Sequence, residues 1–442
     1  MKTFSRRDFL ATSAAVSGLC IVPRYVLGGP GFTPPSDKLN IAGIGVGGVG
    51  FNYLDNVKSE NIIALCDVDR EMPQKAFQAW PQASRYQDFR EMLDVEKEID
   101  AVVIGTPDHT HAIAALAALK KGYHVYCAKP LARTIAEIRR ITEASRQAKV
   151  ATQMSTQQNA SPDHRLICEW IWDGAIGEVH HVDIWSNRPI WPQGLERPLD
   201  IPSVPPHLDW SLWIGPAPFR PYHPVYHPFK WRGWYDFGTG ALGDMGCHGF
   251  DPIFKALKLG HPTCVEASST PLFPETFPAA SIVHYEFPAR QNMPPVTVTW
   301  YDGGLRPKRP PELESGRDMG DKNSSGCLYH GSKGVLMTGF SGSSPRLIPE
   351  DKMKRYRRPP ETLPRSIGHY QEWIEACKGG APAGCHFDYA GPLTEVVMLG
   401  NIALRTGKKL YWDPLNVKIT NDAEANGSID EAYHNGWQLE TF

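Results

Sequence analysis

A histidine one helical turn after an aspartate, and a lysine directly before a proline, are the residues of this chain best suited by type to move a proton. Asp244 and His248 lie in Gly238-Thr239-Gly240-Ala241-Leu242-Gly243-Asp244-Met245-Gly246-Cys247-His248. On a helix their i, i+4 spacing places both on one face. Imidazole titrates near neutrality, so His248 can take a hydroxyl proton, while the carboxylate fixes its tautomer or grips a neighbouring hydroxyl. The glycines before them would bring the helix start close to a ligand. Read alone, the pair fits a capping aspartate and a buried histidine somewhat better. Lys129 stands at the end of an apolar run, just before Pro130. There it can donate to a substrate oxygen or relay a proton, or it can be a surface lysine in a turn. His109 and His111 follow another apolar run in Thr106-Pro107-Asp108-His109-Thr110-His111. A metal pair is conceivable, but a nucleotide-facing loop is the better reading, and no cysteine or histidine cluster has zinc-ligand spacing.

The elements that must position these residues begin at residues 39–50, Leu-Asn-Ile-Ala-Gly-Ile-Gly-Val-Gly-Gly-Val-Gly. A short strand runs into G-x-G-x-x-G, and a second apolar run ends in Asp67. That is the pattern of a dinucleotide fold. Gly45 permits the strand-to-helix turn, Gly47 lets backbone approach a pyrophosphate, and Gly50 lets the helix lie on the strand. Gly48 and Val49 open the helix, whose N-terminus offers unpaired N–H groups to phosphate. Asp67 can accept both ribose hydroxyls and would repel a 2′-phosphate, which favours NAD over NADP.

Residues 38 to about 155 alternate strand and helix. Strands are expected at 39–45, 61–67, 100–105, 123–127 and 150–154, with helices at 48–58, 71–79, 88–95, 110–121 and 134–148. This alternation predicts a parallel sheet covered on both faces, with ligands beyond the carboxyl ends of its strands. Asp67, Thr106-Pro107 and Lys129 all fall at such ends. A helix at 162–173 follows. Strands are then expected at 178–186, 264–270, 280–287, 296–302 and 327–338, several alternating apolar and polar as in Ser281-Ile282-Val283-His284-Tyr285-Glu286-Phe287. Segments 304–325 and 347–366 read as surface loops, 367–378 and 390–406 as helices, and the tail from Pro414 as a surface wrap. A Pro/Trp-rich excursion at 188–236 interrupts the strands. Six of the 13 tryptophans fall in 185–234: Trp185, Trp191, Trp210, Trp213, Trp231 and Trp234. Aromatic faces pack on pyranose C–H surfaces, although core filling accounts for most tryptophans.

Length and composition set outer bounds. At 442 residues the chain can bury two sizeable cores. A net charge of −2 implies neither a nucleic-acid partner nor an anionic membrane. No apolar run after the N-terminus is long enough to span a bilayer. Nine cysteines form no C-x-x-C pair and are expected to be reduced. Ser5-Arg6-Arg7-Asp8-Phe9-Leu10 followed by the apolar stretch Ala11 to Val22 is expected to be a twin-arginine signal, with export to the periplasm. Cys20 sits in a poor lipoprotein box, and 28–36 is a Gly/Pro-rich linker. Removing 1–33 deletes four cations and one acid and takes the net charge from −2 to −5.

Taken together, Gly45-Val46-Gly47-Gly48-Val49-Gly50, Thr106 to His111, Lys129-Pro130 and Gly243 to His248 resemble the Gfo/Idh/MocA oxidoreductases. The resemblance implies an α/β chain with three parts: signal and linker at 1–33, an NAD-binding Rossmann domain at 36–155, and a substrate-binding α/β domain at 156–442 with a large, mostly antiparallel open sheet. It implies that Lys129, Asp244 and His248 surround an oxidised carbon, and that Gly45, Gly47, Gly48, Val49, Gly50, Asp67, Thr106, Pro107, His109, His111 and Lys129 meet NAD. The family usually has Glu before Lys-Pro, where this chain has Ala128. The exported, Trp-rich branch is similar to carbohydrate-active members. The expected activity is oxidation of a sugar or glycoside hydroxyl, at C3 of a hexopyranoside. The alternative is a redox-neutral glycosidase that oxidises C3 transiently. Partners implied are a small carbohydrate and, by analogy, further copies of the chain in a homo-oligomer.

Overall fold

The computed structural model describes residues 37–439. The twin-arginine segment, Cys20 and nearly all of the linker lie outside these residues. The first unit alternates as the sequence requires: β1 (Asn40–Ile44), α1 (Gly48–Asn56), β2 (Asn61–Cys66), α2 (Gln74–Ala79), β3 (Ser84–Tyr86), α3 (Phe89–Val95), β4 (Ala101–Ile104), α4 (His111–Lys120), β5 (His124–Cys127), α5 (Ile135–Ala148) and β6 (Thr152–Met154). All its strands are parallel, in the order β3-β2-β1-β4-β5-β6. Four of them are apolar and buried on both faces, as helices on both sides demand. β3, Ser-Arg-Tyr, was not expected: it is a three-residue edge strand without apolar pattern. α5 opens on a capping box, with Thr134 Oγ1 accepting from Glu137 N and the Glu137 carboxylate accepting from Thr134 N.

The second unit begins at α6 (Pro162–Trp172) and continues through β7 (Val179–Trp185), α7 (Trp210–Ile214), α8 (Gly240–Ala256), β8 (Cys264–Ser269), β9 (Ser281–Phe287) and β10 (Val296–Tyr301). It goes on with β11 (Gly326–Gly331), β12 (Gly334–Gly339), β13 (Arg346–Ile348), α9 (Glu350–Arg355), α10 (His369–Cys377), α11 (Phe387–Thr406), β14 (Leu410–Asp413) and β15 (Lys418–Ile419). Its sheet runs β13-β12-β11-β7-β10-β9-β8-β14-β15. Only the β7–β10 pairing is parallel among the described residues, because the long excursion brings the chain back in the same direction. The expected strand 327–338 is instead a hairpin turning at Ser332-Lys333, since both arms are apolar and mask the two polar residues between them. The basic loop 347–366 contains part of β13 and all of α9.

One sheet face packs on α8 and α11, joining Phe250, Ile253, Val397 and Leu393 to Val283, Tyr285 and Trp300. Loop 304–325 covers part of the other face through Leu313 and Met319 over Trp185 and Leu328. The rest of that face is polar: Asp183 accepts from His181, His330 and Tyr301. Among the described residues no helix is long and apolar enough to cross a membrane.

Candidate active site

An open cleft of about 420 Å³ crosses the carboxyl ends of the parallel strands, from Gln87 and Phe89 near β3 to Lys129 after β5. Gly45 carries φ +72°, the left-handed turn that joins β1 to α1. A Cβ on Gly50 would stand 1.8 Å from the Gly45 carbonyl, so only glycine lets α1 seat there. Gly47 is the N-cap and α1 has no side-chain cap, so its first N–H groups face the cleft without one. Glycine walls around an uncapped helix start fit a pyrophosphate. Gly45, Gly47, Gly48 and Val49 line this cleft, whereas Gly50 is buried behind it.

Asp67 lines the same wall. Its Oδ2 accepts from Gly47 N and its Oδ1 from Asp69 N, both at 3.0 Å. Burial pushes the carboxyl up to about 6, against the pull of those two backbone donors. Among the described residues no lysine or arginine pairs with it. Its remaining lone pairs suit ribose hydroxyls.

Thr106 and Pro107 also line the cleft. His109 and His111, expected to meet the nucleotide, are not among the lining residues. His109 Nε2 lies 2.9 Å from the Trp213 carbonyl and Nδ1 3.3 Å from that of Phe237, and burial pushes its imidazole down to about 3. His111 Nδ1 lies 2.7 Å from the Pro130 carbonyl and Nε2 2.9 Å from that of Thr106. Each ring thus has a main-chain oxygen near both nitrogens, and a neutral imidazole donates to one of the two. Their work is to hold the 106–111 loop against the excursion and the Lys129-Pro130 turn. Asp108, also buried, accepts from Thr239 Oγ1 at 2.6 Å and so ties this loop to the start of α8.

α8 carries the other half. Lys129 Nζ donates to the Asp244 carbonyl at 2.6 Å and to its Oδ1 at 2.7 Å. Arg232 Nε reaches the same Oδ1 at 3.2 Å. Burial alone would raise the Asp244 carboxyl, but the two cations outweigh it and hold it below the usual range. The main chain of Lys129 is set by Ser155 Oγ, which accepts from Lys129 N and from Tyr53 OH, each at 3.0 Å. Ala128, at the position of the family's glutamate, is 5% exposed and puts no charge beside the lysine. His248 follows on α8, partly buried. Burial and the Lys129 ammonium push its imidazole down to about 4, so at neutral pH it is an acceptor. It makes no hydrogen bond to any described residue, and it sits outside the residues that line the cleft.

The six tryptophans are all buried. Only Trp213 and Trp231 reach the cleft, and the rest are core, with Trp210 stacked on Trp213 at 4.6 Å. The excursion is pinned by Asp69, whose carboxylate takes His207 Nδ1 at 2.9 Å and His227 Nε2 at 2.8 Å. Burial would raise Asp69, yet the histidines and the N–H groups of Glu71 and Met72 drive it well below the carboxylate range. Arg232, His227, Phe89 and Trp437 line the cleft without any sequence reading having singled them out. An arginine among aromatics in a long loop, or a tryptophan two residues before the last described one, carries no motif. Among the described residues no group of three or more metal-type ligands is assembled.

Two family descriptions match the chain: "Oxidoreductase family, NAD-binding Rossmann fold" over residues 39–156, and "Oxidoreductase family, C-terminal alpha/beta domain" over 184–276. A levoglucosan dehydrogenase of Pseudarthrobacter phenanthrenivorans is 28% identical over 188 residues, 42% of this chain and 40% of that protein. A glycosyl hydrolase family 109 protein of Shewanella pealeana is 26% identical, over 40% of this chain and 42% of that one. The chain thus spans about two fifths of the length of these curated relatives. The WlbA dehydrogenase of Bordetella pertussis, solved with NADH and UDP-GlcNAcA, shares the fold: TM-score 0.58 at 18% identity, covering 85% of this chain and 99% of that one.

Proposed function

Since the chain belongs to the Gfo/Idh/MocA oxidoreductases, with an N-terminal NAD-binding Rossmann domain and a C-terminal α/β domain, we propose that it oxidises a hydroxyl of a sugar or glycoside, at C3 of a hexopyranoside. The observation that carries this reading is Lys129 Nζ held at 2.7 Å from Asp244, both lining the far end of a dinucleotide cleft, with a neutral histidine one turn further along α8 behind that lining. NAD, when bound there, supplies the hydride acceptor. Gly45, Gly47, Gly48 and Val49 hold its pyrophosphate, Asp67 its ribose, and Thr106 and Pro107 flank it. His248 takes the hydroxyl proton as the C–H bond is broken. Lys129 polarises the same oxygen, and Asp244, kept ionised by two cations, orients both Lys129 and the substrate hydroxyls. Trp213 and Trp231 offer flat apolar faces to a pyranose ring.

The levoglucosan dehydrogenase likeness supports a dehydrogenase. The family 109 likeness supports the second reading, a redox-neutral glycosidase beginning with the same oxidation. A glycoside panel separates them, run with and without added NAD while NADH and aglycone are both followed. Keto product with an intact glycosidic bond and stoichiometric NADH supports the dehydrogenase. Aglycone release without net NADH overturns it in favour of the glycosidase. We also propose export by the twin-arginine route from Ser5 to Leu10, and assembly of copies through the open sheet face.

A further inference from the structure

The C-terminal segment does more than wrap the surface. It leaves the second unit, crosses α5 and the excursion, and ends on the first unit. Glu431 accepts from Arg133 Nη1 at 2.5 Å and Arg405 Nη1 at 2.7 Å. Tyr433 OH donates to Glu137 at 2.6 Å. Asn435 Nδ2 donates to the carbonyls of Gly215 and Ala217 at 2.9 and 2.8 Å, and His434 N to that of Pro216 at 3.0 Å. Asn435 and Gly436 then both adopt left-handed backbone (φ 57° and 77°), residue types that tolerate it. That turn delivers Trp437 into the cleft wall. Its indole stacks on Phe89 at 5.9 Å and 27°, and the Arg90 guanidinium lies 4.0 Å from its ring centre. Beyond it Leu439 packs back on the core. The segment is therefore anchored on both sides of Trp437.

Phe89 and Trp437 stand at the β3 end of the cleft, past Asp67. A dinucleotide whose pyrophosphate meets α1 and whose ribose meets Asp67 carries its purine to this end. We propose that the C-terminal strap is part of the cofactor site: Trp437 and Phe89 form the apolar wall of the adenine pocket, and the strap holds NAD between turnovers. This rests on the NAD assignment of the cleft. Arg90 adds to it. Asp88 takes both its Nε and Nη2, which pairs the cation at this end of the cleft.

The test compares the full-length protein with Trp437→Ala, Trp437→Phe and a chain ending at Ala432. NADH is loaded and chased with excess NAD while its fluorescence decay is followed, and AMP and nicotinamide mononucleotide are titrated separately. Trp437→Ala is expected to speed NADH release about 10-fold or more and to weaken AMP, not the mononucleotide. Trp437→Phe should restore most of the effect, because phenylalanine keeps an aromatic face for the base. Unchanged release and unchanged AMP affinity in Trp437→Ala overturn the strap proposal, whether or not the shortened chain folds. A wild-type protein that binds no NADH overturns the NAD assignment instead.

Discussion

Asp67 and Asp244 stand at opposite ends of one cleft, are both partly buried, and are driven in opposite directions. Asp67 meets only two backbone N–H groups, so burial wins and its carboxyl rises to about 6. Asp244 meets Lys129 and Arg232, and the cations win. Neutral donors offset desolvation only in part, whereas paired charges reverse it. The ribose end is thus poised to lose its charge in mild acid, and the chemical end is locked in its ionised state.

Breaking the chemical end should have the largest effect. His248→Ala is expected to lower turnover by about 10²–10⁴-fold, the usual worth of a positioned base, with NAD affinity nearly unchanged. Steady-state kinetics beside calorimetric NAD titration check both halves, and full turnover in the folded variant would move the base elsewhere. Lys129→Ala comes next, at roughly 10²-fold in turnover. Here Asp244 keeps only Arg232 as a partner, and the variant should also shift nucleotide geometry, seen as a changed NADH emission spectrum.

The pH profile sharpens the contrast further. Asp67 must be ionised to accept ribose hydroxyls, and its carboxyl is raised. NAD affinity should therefore be flat above pH 7 and fall as pH drops through about 6, approaching about 10-fold per pH unit because one proton is released on binding. Asp244, held low, and His248, at about 4, should add no acid limb between pH 8 and 5 at saturating NAD. An acid limb near 6 that survives saturation would assign the titration to the wrong end. For stability the two carboxyls have opposite signs. Asp244 contributes above its unfolded value near 3.9, a contribution lost only as pH falls through its lower folded value. Asp67 contributes below its unfolded value and loses that contribution as pH rises through about 6. The smallest effect is expected at Asp69→Asn, which loosens His207 and His227 and so the excursion. KM for the sugar should rise a few-fold with kcat almost intact, measured with the sugar that proves active.

Much of this was legible because it depends on local rules. The glycine turn, the strand-helix alternation and Asp67 follow from steric and hydrogen-bond demands satisfied within about 30 residues, and i, i+4 spacing put Asp244 and His248 one turn apart on one helix, although Asp244 bonds to Lys129 and Arg232 instead. What the sequence alone determined was the dinucleotide half and the residue types of the chemical half. The tertiary structure decided which of those types face the cleft. His109 and His111 carry ligand-like chemistry, yet the ring of His109 is turned to the carbonyls of Trp213 and Phe237 and that of His111 to those of Pro130 and Thr106. Arg232 and Trp437 carry no motif, yet a long excursion and a two-residue left-handed turn deliver them to opposite ends of the site. The placements of His109 and Trp437 depend on contacts between segments more than 100 residues apart in sequence. No local spacing encodes them, because they exist only once both cores have packed.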